Sequence, residues 1–237
     1  MSQMPPPPPP PPGGFPPPPP PPPGGQPAPD MSGPFQVGEA ISRGWNLYWQ
    51  NVGQLLVITL VVIGIDIVVG IIRAAAGSGI LALLLGVVSY LVSLVLGLGI
   101  ARAALAVAEG RRPEVGMLFI TDGWGPVIGA GILFGIGVGI GLVLLIVPGV
   151  ILLIMWYFYA YVIADDPTTG PTDALRRSAD ITRGHRWPLL GFALLLLGIN
   201  IIGFIACCVG LLFTIGISAV ATACAYKTLS AEGVRQP

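Results

Sequence analysis

The chain has 237 residues, 54% hydrophobic and 9% charged, with 11 Lys and Arg against 11 Asp and Glu. A soluble domain carries roughly 25% charged residues, so this composition excludes an ordinary globular class and indicates an integral membrane protein. Zero net charge offers nucleic acid no general attraction, which leaves the placement of the basic residues as the electrostatic signal to follow.

In chain order, residues 1–34 come first as a separate region. Pro5 to Pro12 and Pro16 to Pro23 are two runs of eight prolines, each closed by Gly-Gly and separated by Phe15. Proline donates no backbone hydrogen bond, so each run is expected to be a solvated polyproline II rod of about 25 Å with a glycine swivel at its end. Such a disordered tail serves either as a docking ligand for an aromatic groove of a cytoplasmic protein or as a plain solvated tail. The start "MSQM" has no basic residue and no apolar run behind it, so insertion is expected from an internal span.

After the tail, Ile41, Trp45, Tyr48, Trp49 and Val52 recur at helical spacing. They are expected on one face of an amphipathic helix lying in the membrane interface, aromatics at headgroup level. Apolar windows then fall at about 52–72, 80–108, 125–146, 149–164, 188–208 and 209–228. A crossing needs roughly 20 residues, so six crossings fit. Two boundaries lack charge: "VPG" at Val147 to Gly149 is expected to turn the third span into the fourth, and "ACCVG" up to Gly210 to turn the fifth into the sixth. A re-entrant hairpin is the alternative for these pairs.

The basic residues sort to one side. Arg43, Arg111, Arg112, Arg176, Arg177, Arg183, Arg186, Lys227 and Arg235 flank the same ends of the spans, Arg102 snorkels toward them, and Arg73 alone stands opposite. The positive-inside rule then places both termini in the cytoplasm of a multi-pass inner-membrane protein. Residues 35–230 form the transmembrane domain, and 231–237 a short C-terminal tail.

A shift of 134 positions aligns "EAI" at Glu39 with "DAL" at Asp173, Leu55-Leu56 with Leu189-Leu190, and Gly64-Ile65-Asp66 with Gly198-Ile199-Asn200. A middle copy starts at Glu114, where "VGMLFITDGWGPVIG" leads into the third span. The expected fold class is therefore all-α: six transmembrane helices built as three parallel hairpin units, each preceded by an interfacial amphipathic helix. Asp66 and Asn200 hold matching places, whereas the third copy has Val138, and a hydrogen bond from Asn200 to Asp66 is expected if the first and fifth spans touch.

Candidate chemistry is sparse. His185 is the one histidine and has no second nitrogen ligand near it in sequence, so no metal, cofactor or catalytic set is expected. Asp165 and Asp166 are expected to end a helix ahead of Pro167 or to pair with Arg176 or Arg177. Arg176, Arg177, Arg183 and Arg186 lie in the basic stretch before the fifth span and are candidate contacts for anionic lipid, with topological charge as the plainer reading. Gly131, Gly135 and Gly139 step by four along the third span and suit close helix packing, within the chain or against a second copy. Cys207, Cys208 and Cys224 read as small apolar residues, with a Cys208 link between molecules as a minor alternative.

"PGVILLIMWYFYAYVIADDP", "DALRRSADITRGHRWPLLGF" and "ATACAYKTLSAE" together resemble the YciC-like membrane domains, related to the membrane domain attached to some bacterial glycerophosphodiester phosphodiesterases. The proline and glycine rich head is similar to that of actinobacterial membrane proteins. The resemblance implies a six-helix inner-membrane bundle over residues 35–230 and no particular activity, because the phosphodiesterase chemistry belongs to a separate soluble domain. Three functions are left: a non-enzymatic scaffold or accessory protein whose tail recruits a partner; a transporter or lipid-handling protein using Asp66 and Asn200; and, least supported by the residues, a membrane-embedded enzyme.

Overall fold

The computed structural model describes residues 35–205 and 207–235, with side chains at 35–205 and 210–232. The proline-rich tail of residues 1–34 and the Cys208 side chain lie outside the described residues. Regular structure in the described residues is helical, without strands: α1 (Val37–Gln50), α2 (Val52–Ala75), α3 (Ile80–Ala108), a 3-10 turn (Val115–Phe119), α4 (Trp124–Leu144), α5 (Ile146–Met155), α6 (Tyr159–Asp165), α7 (Pro171–Ile181), α8 (Arg186–Ile205) and α9 (Cys207–Arg235). Six spans among these residues are long and apolar enough to cross a bilayer, α5 and α6 together counting as one.

Proline marks where four of these helices begin. Pro126, Pro148, Pro171 and Pro188 fall in the first turns of α4, α5, α7 and α8, where a backbone N–H has no intrahelical acceptor to lose. This moves the turn expected at "VPG". The chain leaves the helix at Leu145, with φ −158° and ψ 131°, and Pro148 and Gly149 already belong to α5. Gly149 instead allows close packing: a Cβ on Gly141 would stand 2.9 Å from its Cα.

The helix expected to lie in the interface is tucked against the bundle. Along α1, Ala40, Gly44, Leu47 and Tyr48 are buried against α9, and a Cβ on Gly44 would lie 2.6 Å from the Ala221 Cα. Tyr48 fits over Gly216, whose missing side chain leaves room for the ring. The stripe of small residues next to the tryptophans decides the inward face, so Tyr48 goes inside while Trp45 and Trp49 stay half exposed. The middle copy has no such helix. Only the 3-10 turn forms there, its Leu118 buried on Gly99, because the segment 109–123 must also carry the chain from the end of α3 to the start of α4.

The core lies where α1, α3, α6 and α9 meet. Ala101 to Ala108 of α3 are all buried, surrounded on every side, which explains the small residues of "ARAALAVA". Away from that centre the helices end in exposed apolar residues: Ile80 is 80% exposed, Val143 88% and Ile205 77%.

The fourth span is broken. α5 stops at Met155 and α6 resumes at Tyr159, and α7 supplies what the break leaves unpaired. Ser178 Oγ accepts from the Phe158 N–H at 3.1 Å and donates to the Met155 carbonyl at 2.9 Å. Thr182 Oγ1 reaches the same carbonyl at 3.5 Å. Buried backbone groups require such partners, and here they come from a helix that looks merely basic in sequence.

Candidate functional site

α3, α6 and α9 each bring a charged residue to one place. Glu109 caps α3, Asp165 ends α6, and Lys227 stands between them on α9, its Nζ 2.6 Å from Glu109 Oε1 and 2.7 Å from Asp165 Oδ1. The Tyr226 hydroxyl donates to Asp165 Oδ2 at 3.1 Å, and Arg111 donates to Glu109 Oε2 through Nε at 3.0 Å and through its guanidinium end. Each side chain of the ion triad is about a quarter to a third exposed, so water screens it only in part.

Burial pushes the Glu109 carboxyl up, but hydrogen bonds and charge from Lys227 and Arg111 more than offset this and hold it below the ordinary glutamate range. Next to the triad a cavity of about 420 Å³ is lined by Arg102, Arg111, Asp122 and Pro167, with Met117 and Ile120. Arg102 is 8% exposed, and its guanidinium donates to the Ile120 carbonyl at 2.7 Å and to the Asp122 carbonyl, fastening the loop after the 3-10 turn onto α3. Among the described residues no three His, Cys, Asp or Glu side chains group as metal ligands.

The cluster ties together α3, α6 and α9, and the pattern of apolar and charged residues hardly announces it. Asp165 was expected to pair with Arg176 or Arg177; its partners are Lys227 and Tyr226, some sixty positions away, whereas those arginines project outward from α7. Asp166 bonds the backbone and hydroxyl of Thr168 and the hydroxyl of Thr169, which hold its carboxyl below the ordinary aspartate range. The usable signal was a charged residue closing each apolar return segment: Glu109, Asp165, Lys227.

Asp66 and Asn200 do not meet. Asp66 Oδ1 accepts from Ser93 Oγ of α3 at 3.3 Å, and Asn200 Nδ2 donates to Ser218 Oγ of α9 and to the Leu196 carbonyl, both at 2.8 Å. The expected Asn200–Asp66 bond is thus replaced by a serine on the next helix in each case. Along α4 the expected glycine stripe divides. A Cβ on Gly131 would come 2.5 Å from Leu94, and one on Gly135 3.0 Å from the Tyr90 hydroxyl, which donates to the Gly131 carbonyl at 2.8 Å. Gly139 meets nothing within 4 Å, and a second stripe, Gly137 under Trp156 and Gly141 on Gly149, receives α5.

The four arginines separate as well. Arg176 and Arg177 lie on the exposed face of α7, opposite buried Ala174, Leu175 and Ser178. Arg183 is 3.5 Å from Asp180. Arg186 starts α8 and borders a groove against α5.

Residues 80–233 match the family described as "Protein of unknown function (DUF975)", a span that holds the whole triad and the four arginines. A protein of Mycobacterium tuberculosis (strain ATCC 25618 / H37Rv), described as "Uncharacterized protein Rv2560", is 27% identical over 233 residues, covering 86% of this chain and 71% of its own length. No solved structure matches the chain. With nearly two thirds of its length inside that match, the chain belongs to the family of unknown function DUF975.

Proposed function

We propose that the protein is a non-enzymatic membrane scaffold or accessory protein of the bacterial inner membrane, both termini cytoplasmic, whose proline-rich tail recruits a cytoplasmic partner while the bundle anchors it and contacts lipid. The Glu109–Lys227–Asp165 triad carries this reading: with Arg111 as the second cation its charges balance across three helices, which suits a fixed anchor and leaves little for covalent chemistry. The root of the tail fits too. The Phe35 N–H donates to Glu232 Oε1 at 2.8 Å, and the Phe35 ring packs edge-on against His185 and Phe192, which sets Phe35 beside the end of α9. The sequence shift of 134 and the positions of the basic residues support three repeated hairpin units in that orientation. The YciC-like resemblance is consistent with the same bundle.

The test is to purify the full chain and a form lacking residues 1–34 and to identify co-purifying proteins and lipids by mass spectrometry. Loss of protein partners with lipids unchanged is expected; identical protein partners in both would remove the recruiting tail from the proposal. One observation favours a second reading, transport or lipid handling. Asp66 is an exposed carboxylate on an apolar helix, and among the described residues its hydrogen-bond partner is the Ser93 hydroxyl alone. Loss of uptake or of bound lipid in a folded Asp66→Ala protein would favour it.

A further inference from the structure

α5 and the start of α8 leave a groove of about 460 Å³ between them. One wall is five aliphatic residues of α5, Val150 and Ile154 among them, and the other is Arg186, Trp187 and Leu190. The volume falls in the range of roughly 300–1,000 Å³ typical of small-ligand sites. Its walls exclude a polar solute, because no hydrogen-bonding side chain of α5 faces it.

One charge borders the groove. Arg186 makes no hydrogen bond or ion pair among the described residues, while its neighbours are engaged: Arg183 with Asp180 at 3.5 Å and His185 with Glu232 at 3.5 Å. A guanidinium repels a cation and offers a fork of donors to phosphate. Beside it Trp187 is 83% exposed, an indole of the kind that sits at the headgroup level of a bilayer. An occupant must therefore combine an apolar chain with an anion.

We propose that this groove is a binding site for an anionic glycerophospholipid, one acyl chain lying along Val150 and Ile154 and the phosphate held by Arg186. This deepens the lipid-contact half of the proposed function and narrows it from four arginines to one. Arg176 and Arg177 do not border the groove, and Arg183 already has a carboxylate. The recruiting role of the tail does not depend on it.

The experiment uses the full chain in vesicles of phosphatidylcholine containing a small fraction of chain-brominated phosphatidylglycerol or chain-brominated phosphatidylcholine. The Trp187 share of the fluorescence is isolated by difference from Trp187→Phe. Brominated phosphatidylglycerol is expected to quench that share at about five-fold lower mole fraction, the preference one basic residue gives near an anionic headgroup. Arg186→Gln should abolish the preference and Arg176→Gln should keep it, while Val150→Phe, which fills the groove, should weaken quenching by both lipids. Equal quenching by the two lipids in the unsubstituted protein overturns the proposal without any variant having to fold, as does a preference that survives Arg186→Gln. Displacement of the brominated lipid by oleate as readily as by phosphatidylglycerol would reassign the groove to a free fatty acid. Trp187 shielding that rises with protein density in the membrane would reassign it to a second copy of the chain.

Discussion

At the scale of single residues, Lys227 holds more of the assembly than any other charge. Removing it by Lys227→Met leaves the Glu109 and Asp165 carboxylates facing one another with their shared counterion gone. Because the triad is partly exposed, the expected loss is about 2 kcal/mol, below the cost of breaking a fully buried pair, read from thermal unfolding in detergent. The pH dependence has a definite sign. The Glu109 carboxyl is lower in the folded protein than in an unfolded chain, so its stabilisation is present above its ordinary value near 4.5 and is lost as pH falls through and below that value. Glu109→Gln should lower stability at pH 7 and flatten the fall below about pH 4.5; an unchanged acid limb would assign that fall to other carboxylates. Asp66 and Asn200 teach a related lesson: matching places in sequence pointed to shared importance, but each polar group took the nearest hydroxyl on the next helix.

Among the elements, α7 has the least expected role. Its sequence reads as a charged surface helix, and its exposed face is one, but Ser178 closes the break between α5 and α6. Ser178→Ala removes the hydroxyl without adding bulk, strands the buried Phe158 N–H and leaves the Met155 carbonyl with only the 3.5 Å contact from Thr182, at an expected cost of about 2 kcal/mol; Asp180→Ala, on the exposed face, should change stability by less than about 0.5 kcal/mol. Urea-induced unfolding of the two variants side by side reads the difference. The glycines of α4 give a second contrast. Gly137→Ala drives a methyl into the Trp156 ring and should destabilise by about 1–3 kcal/mol, whereas Gly139→Ala has open space and should be neutral or slightly stabilising through helix propensity. Their identical spacing in sequence hides this, since periodicity names a face without naming what lies against it.

For the whole molecule, burial is concentrated near the Glu109 ends of the return helices, and the opposite tips present isoleucine, leucine and valine outward. In water such tips would associate; in a bilayer they meet lipid. The orientation is checked by single cysteines in a chain whose native Cys207, Cys208 and Cys224 are replaced by serine. Ser78→Cys, between α2 and α3, should react with an impermeant maleimide in intact cells, and Thr169→Cys, between α6 and α7, only after permeabilisation. The reverse pattern would invert the membrane placement.

Composition and the lengths of the apolar runs were enough to anticipate six helices long and apolar enough to cross a membrane, because a bilayer imposes one length and one polarity on whatever crosses it. Proline and glycine positions came close to the helix ends, missing by a few residues at Leu145 because proline is as suited to a first turn as to a stop. Tertiary structure alone decided that Tyr48 turns inward, that Ser178 closes a broken span, and that Lys227 joins Glu109 to Asp165. Those outcomes depend on which helices lie side by side, and a linear pattern of apolar and polar residues holds no record of neighbours more than a turn away.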